Sequence, residues 1–257
     1  MELASVRIEP DPPQHPLLAC RLWLHLPALA LAADLHLDPF SVTPRQEAFI
    51  AWLAGLPAGL PIAILGDLFD FWIGDDWDPP PFRPLFAALT AAARERLLFF
   101  QAGNRDFLAG RQLAQRIGWR RLPPLVGVVI GAQRFLLTHG DALCWHDHAY
   151  LAWRCETRHP RWQRAFLTQP LADRLAFAQT ARAHSQARRD YPEEVSDDAV
   201  RDLLARYPGC HLIHGHTHRP RAVRYTVGDA LAMRWVLPEW RDGEPAAGRM
   251  VTATGVY

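Results

Sequence analysis

The sequence has no lysine: all 28 of its basic residues are arginine. That excludes a Schiff-base or other catalytic lysine and the lysine of a phosphate-binding P-loop. Cysteine is scarce. Cys20, Cys144, Cys155 and Cys210 are widely spaced with no CxxC pair, so buried free thiols in a reducing compartment are expected rather than a disulfide framework or a zinc ribbon. A dominant charge is lacking as well. The 28 basic and 27 acidic residues leave a formal net charge of +1, which supplies no global basic field, and no nucleic-acid partner is expected. The longest early uncharged run, 22–33, has 12 residues and contains His25 and Pro27, whereas crossing a bilayer takes about 20. Glu2, Glu9 and Asp11 stand before it, where a signal peptide carries basic residues. The expected location is the cytoplasm.

What is present fits a globular chain. Apolar residues make up 49% and charged residues 21% of 257, enough to bury the core of one large domain. Residues 1–20, rich in proline and acids, read as a loose extension before a single domain over 21–257. Apolar runs at 29–33, 61–65, 97–101, 135–138 and 210–213 have strand length. Between them, 44–56, 84–96 and 111–117 carry helical i, i+3, i+4 apolar spacing. The alternation predicts an α/β fold with a largely parallel sheet. Residues 221–227, 232–237 and 250–253 read as a terminal antiparallel set.

The informative feature is how the strands end. Asp34 and His36, Asp67 and Asp70, Asn104 to Asp106, His139 to Asp141, and His216 and His218 each follow an apolar run, at the carboxyl ends where open α/β sheets place their sites. Singly, each ending is weak, because a strand-terminal aspartate commonly caps the next helix. Five in order point to a metal site. Asp34 with His36, and His216 with His218, are two apart and in extended backbone project to one side. Asp67 has two oxygens with which to bridge two ions, Asn104 brings a neutral oxygen and His139 an imidazole. Nitrogen and oxygen donors without thiolate suit Mn²⁺, Fe²⁺ or Zn²⁺. Two ions about 3.5–4 Å apart favour in-line displacement at phosphorus, so phosphoester hydrolysis is expected.

The ordered set DxH, GDxxD, GNxD, HGD and GHTH resembles the calcineurin-like metallophosphoesterases. The longer strings at 65–76, 103–108 and 213–220 resemble, within them, the pyrophosphohydrolase family that acts on UDP-2,3-diacylglucosamine in lipid A biosynthesis. The resemblance runs from about Leu31 to the C-terminus. It implies an α-β-β-α sandwich with a helical lid, and two divalent ions, manganese foremost. Asp34, His36, Asp67 and His218 would hold the first ion, and Asp67, Asn104, His139 and His216 the second. The implied reaction is attack on the α-phosphate, releasing UMP and 2,3-diacylglucosamine 1-phosphate. A nucleotide pyrophosphatase or phosphodiesterase of the same superfamily, or a non-catalytic scaffold, is the alternative.

Arg105 follows Asn104 where phosphatases of this superfamily carry an acidic histidine. A guanidinium stays protonated and cannot act as a general acid, but it clamps phosphate oxygens. That favours a leaving group that needs little protonation, as in pyrophosphate cleavage; pairing with Asp106 is the structural alternative. Asp70 fits a helix cap or a partner of another side chain better than a ligand.

Three of the ligand intervals, Asp34–Asp67, Asp67–Asn104 and Asn104–His139, span 33, 37 and 35 residues, but His139–His216 spans 77. The surplus, at about 145–190, predicts a helical insertion over the site. From 150 to 190 it carries eight arginines against three acids, interleaved with Trp153, Trp162, Phe166, Leu167, Leu171, Leu175 and Phe177. Such a segment suits an acyl chain or an anionic membrane surface, and the resemblance implies a protein peripheral to the cytoplasmic face of the inner membrane. Its alternative is an apolar face packed on the core with solvated arginines. The resemblance carries substrate contacts to Asn104, Arg105, Asp147, Arg182, Ser185, Arg189 and His216. The family's lysine aligns near Pro192, and Arg188 or Arg189 is the candidate replacement. Trp72 and Phe107 resemble apolar substrate contacts, which core packing explains equally well. A monomer is expected.

Overall fold

The computed structural model describes residues 18–187 and 194–257, without the side chains of residues 185–187. In chain order the first half runs β1 (Trp23–His25), β2 (Leu29–Ala32), α1 (Pro44–Gly55), β3 (Ile62–Leu65), α2 (Arg83–Glu95), β4 (Leu98–Gln101), α3 (Arg111–Ile117) and β5 (Arg120–Arg121). A hairpin follows, β6 (Val126–Ile130) and β7 (Gln133–Thr138). Three helices then fill the long interval: α4 (His148–Arg158), α5 (Pro160–Leu167) and α6 (Leu171–Ala187). The chain continues with α7 (Asp197–Arg206), β8 (His211–His214), β9 (Arg221–Val227), β10 (Ala230–Val236), β11 (Arg249–Thr252) and β12 (Gly255–Val256).

These strands form two six-stranded sheets, ordered β1-β6-β7-β8-β10-β9 and β12-β11-β2-β3-β4-β5. The strands are largely parallel as expected, three of the five neighbouring pairs in each sheet, but they form two sheets and not one, and each also contains two antiparallel pairs. The terminal set is divided likewise, β9 and β10 joining one sheet and β11 and β12 the other. The physical reason is burial on both faces. In β2, Leu29 and Leu31 face the layer between the sheets, while Ala30 and Ala32 face α1 and α2. Strands buried on both sides read as continuous apolar runs with no period to tell the sheets apart. Sheet on sheet, with α1 to α3 outside one and α7 outside the other, gives the layered sandwich.

Helices α4 to α6 occupy the long interval between His139 and His216. Leu18–Cys20, part of the predicted loose extension, are tied down: Leu18 is buried, its carbonyl accepts from Arg206 (2.9 Å), and the Cys20 amide donates to Tyr207 Oη (2.7 Å). Residues 1–17 of that extension lie outside the described residues.

The insertion is fastened to the core by arginines. Arg154 Nε donates to Asp141 Oδ2 (2.7 Å), Arg158 lies 3.6 Å from the same oxygen, and Tyr150 Oη donates to it as well (2.6 Å). Arg174, 2% exposed, pairs with Asp76 and donates to the Ile73 carbonyl. Arg182 pairs with Asp70 (2.5 Å). Burial alone would raise the Asp141 pKa, but Arg154 and Arg158 hold it well below its ordinary 3.8. Because the folded-state value is the depressed one, this contribution to stability is complete above pH 3.8 and is lost as pH falls toward the folded value. Asp141→Asn would leave a buried guanidinium uncompensated, so a loss of about 3 kcal/mol is expected at neutral pH. Urea unfolding of variant and wild type checks this; coincident midpoints would contradict it.

Candidate metal centre

Asp34 and His36 follow β2, Asp67 follows β3, Asn104 follows β4, His139 follows β7, and His216 and His218 follow β8. The site therefore straddles the carboxyl ends of both sheets, and all seven predicted ligands meet there. Backbone bonds extend the β2–β3 pairing past its strands: the amides of Asp34 and His36 donate to the carbonyls of Gly66 (3.1 Å) and Asp67 (2.9 Å).

Among the described residues, the non-glycine positions with positive φ are Asp34 (56°), His36 (47°), Asp67 (53°), His216 (69°) and His218 (52°). Each left-handed residue costs roughly 1–2 kcal/mol, and every one of these is a predicted ligand. Strain collected at one place in this way marks a functional site. Two glycines exist for close approach. A Cβ on Gly103 would lie 2.1 Å from Asp67 Oδ1, and one on Gly215 would lie 2.3 Å from Asp34 Oδ2.

The donor atoms fall into two groups with one member in common. In the first, His36 Nε2 is 3.0 Å from His218 Nε2, which is 3.5 Å from Asp34 Oδ1. In the second, Asn104 Oδ1 is 2.9 Å from His139 Nε2 and 3.0 Å from His216 Nδ1. Asp67 Oδ2 lies between, 3.8 Å from His36 Nε2 and 3.6 Å from His139 Nε2. Ligand bonds of about 2.0–2.2 Å put neighbouring donors of one ion roughly 3–3.5 Å apart, so the residues present fit a pair of divalent ions. The remaining atoms of these side chains are used to aim them. Asp67 Oδ1 accepts from the Arg105 amide (2.8 Å), and both Asp34 oxygens accept from the His216 amide (2.8 and 3.0 Å). His139 Nδ1 faces the Leu65 carbonyl at 2.8 Å.

Set by protein groups alone, the protonation is uneven. Burial would raise Asp34, but His218 and His139 bring it down to about 2. Burial raises Asp67 to about 7, with His139 opposing. Burial would lower His218, yet hydrogen bonds to Asp34 and Glu239 push it up to about 10. Ions taken up here must displace protons, the usual accompaniment of binding to imidazole and carboxylate.

Beside these donors lies a cavity of about 460 Å³, walled by Phe71, Phe107, Trp153, Trp162, Phe166 and Phe177. Of the predicted substrate contacts, Asn104, Arg105, Asp147, Arg182, Trp72 and Phe107 line it, and His216 reaches it through Asn104. Trp72, 2% exposed, stacks on Phe69 at 4.7 Å and also borders the cavity. Asp147 also caps α4, accepting from the Tyr150 amide (2.9 Å). Ser185 lies on the last turn of α6 with its side chain outside the described residues, and Arg189 lies outside them altogether. Asp106 is spoken for by backbone, accepting from the amides of Gly103 (2.7 Å) and Leu68 (2.8 Å), and so clips the Asn104 loop to the Asp67 loop. Sequence reasoning missed Glu239, whose Oε2 is 3.0 Å from His218 Nδ1; its loop has no periodicity that would have revealed it.

Comparison with known proteins agrees with this geometry. Residues 28–220 match the family model for calcineurin-like phosphoesterase. A protein from Chromobacterium violaceum named UDP-2,3-diacylglucosamine hydrolase is 40% identical over 84% of this chain and 92% of its own length. One of the same name from Xanthomonas axonopodis pv. citri is 43% identical over 81% of this chain and 89% of its own. The chain belongs to the calcineurin-like phosphoesterases, metal-dependent hydrolases, and within them to the UDP-2,3-diacylglucosamine hydrolase family.

Proposed function

We propose that the chain hydrolyses the pyrophosphate of UDP-2,3-diacylglucosamine by attack of water on the α-phosphorus, giving UMP and 2,3-diacylglucosamine 1-phosphate for lipid A synthesis. One observation carries the reading: two donor sets sharing Asp67 Oδ2 stand beside an aromatic cavity with Arg105 in its wall. Asp34, His36, Asp67 and His218 are the ligands of one ion, and Asp67, Asn104, His139 and His216 those of the other. Manganese is the first metal to test. When bound, the ions supply Lewis-acid activation of water and of the phosphoryl oxygens.

The chain's own residues do the rest. Arg105 and Arg182 draw the phosphates to the donor cluster and hold them in fork geometry. A new O–P bond forms at the α-phosphorus and the bond to the bridging oxygen breaks; that oxygen departs with its electron pair on the sugar phosphate, and the water proton goes to solvent. A phosphate monoester leaves without being protonated, so the permanently charged Arg105 meets the need that a general acid meets elsewhere. The cavity under α4 to α6 takes an acyl chain. No helix among the described residues is long and apolar enough to cross a membrane. Contact with an anionic surface is proposed through the exposed Phe40, Val42, Leu167 and Leu171 with Arg161 and Arg164.

Turnover in ¹⁸O-water, on anionic vesicles and in neutral detergent, tests the proposal. Label in UMP and a higher rate on vesicles are expected. Label in the sugar phosphate, or UDP as product, would overturn the assigned phosphorus, and equal rates would overturn the surface contact.

A further inference from the structure

We infer that Glu239 positions His218 for one of the two ions and thereby sets that ion's affinity. The inference rests on the metal-centre reading above and assigns a role to a residue outside every ligand motif. Glu239 follows β10, and its Oε2 lies 3.0 Å from His218 Nδ1. A carboxylate there keeps the proton on Nδ1 and turns Nε2 toward Asp34 Oδ1 (3.5 Å) and His36 Nε2 (3.0 Å). An imidazole braced in this way is fixed in tautomer and orientation and is a stronger donor to a cation.

His218 has particular need of a brace. Its side chain is 34% exposed, against 15% for His36 and 1% for His139, so water competes for it and packing alone does not hold the ring. The brace is itself held. Arg241 Nε donates to Glu239 Oε1 at 2.7 Å. Trp240, 2% exposed, packs edge-on against Phe49 and Trp52 (5.3 and 5.6 Å between centroids), and its amide donates to the Asp34 carbonyl (3.1 Å). Asp242 pairs with Arg45 at 3.2 Å. Trp240 and Asp242 thus pin the loop without Glu239, so a substitution at Glu239 perturbs the imidazole and not the fold.

Titration of chelator-treated full-length protein with Mn²⁺, followed by calorimetry and electron paramagnetic resonance, is the test. For Glu239→Leu, the affinity for one ion is expected to fall by about 10–100-fold while the other is unchanged. Glu239→Gln, whose amide oxygen still accepts from Nδ1, should fall between. Below saturation the spin-coupled signal of the wild-type pair should give way to isolated Mn²⁺ in Glu239→Leu. Wild-type affinities in both variants would overturn the inference, as would equal weakening of both ions. A wild-type protein that takes up fewer than two ions would instead sink the metal-centre reading itself.

Discussion

Asp67→Asn should abolish turnover while leaving the protein folded. Asp67 Oδ2 is the atom that both donor groups share, 3.8 Å from His36 Nε2 and 3.6 Å from His139 Nε2, while Oδ1 is occupied by the Arg105 amide. An asparagine keeps the second contact with its carbonyl oxygen and must then turn its NH₂ toward the imidazoles. That group donates where a cation needs an acceptor. The bridge is lost and with it the relative placement of the two ions, an effect of several kcal/mol on transition-state charge. Taking about 4 kcal/mol gives a fall in kcat of roughly a thousandfold. Rates at saturating Mn²⁺, with metal content measured on the same samples, decide the matter. Near-wild-type turnover with two ions bound would refute the bridging role.

The donor cluster was legible because geometry forces its sequence signature. A donor at the end of a buried strand must follow an apolar run. Loops that approach as closely as those of Gly103 and Gly215 must place glycine beside the donor. The division into two sheets left no such mark. β2 and β3 lie in one sheet and β8 in the other, yet each is buried on both faces at its end toward the site, so each reads as a bare hydrophobic run. The insertion was visible as surplus length, but the partners of its arginines were not. Composition counts charges without their partners, and Arg154, Arg158, Arg174 and Arg182 are engaged with Asp141, Asp76 and Asp70. The acids that hold them lie in the strand-end loops, from 13 residues away (Asp141 and Arg154) to 112 (Asp70 and Arg182), outside the insertion whose composition was counted. Glu239 escaped for the same reason: a carboxylate in an aperiodic loop acquires meaning only when folding brings His218 to it.

Filling the cavity should separate acyl recognition from phosphoester chemistry. Removing the insertion would strip Asp141 of Tyr150, Arg154 and Arg158 at once, confounding any loss of specificity with loss of fold. Ala178→Trp is sharper. Ala178 stands on α6 beside Phe177 and borders the cavity together with Phe107, Trp162 and Phe166, while of the seven donor residues Asn104 borders it. An indole there occupies space that an acyl chain would otherwise fill. Excluding about four methylenes at 0.8 kcal/mol each costs about 3 kcal/mol, roughly a hundredfold in kcat/KM on the acylated substrate. A small chromogenic phosphodiester needs only the donor cluster and Arg105, so its hydrolysis should change little. Equal losses on both substrates would mean that the aromatic wall supports the fold and does not select the lipid. Equal retention would place the acyl chain elsewhere.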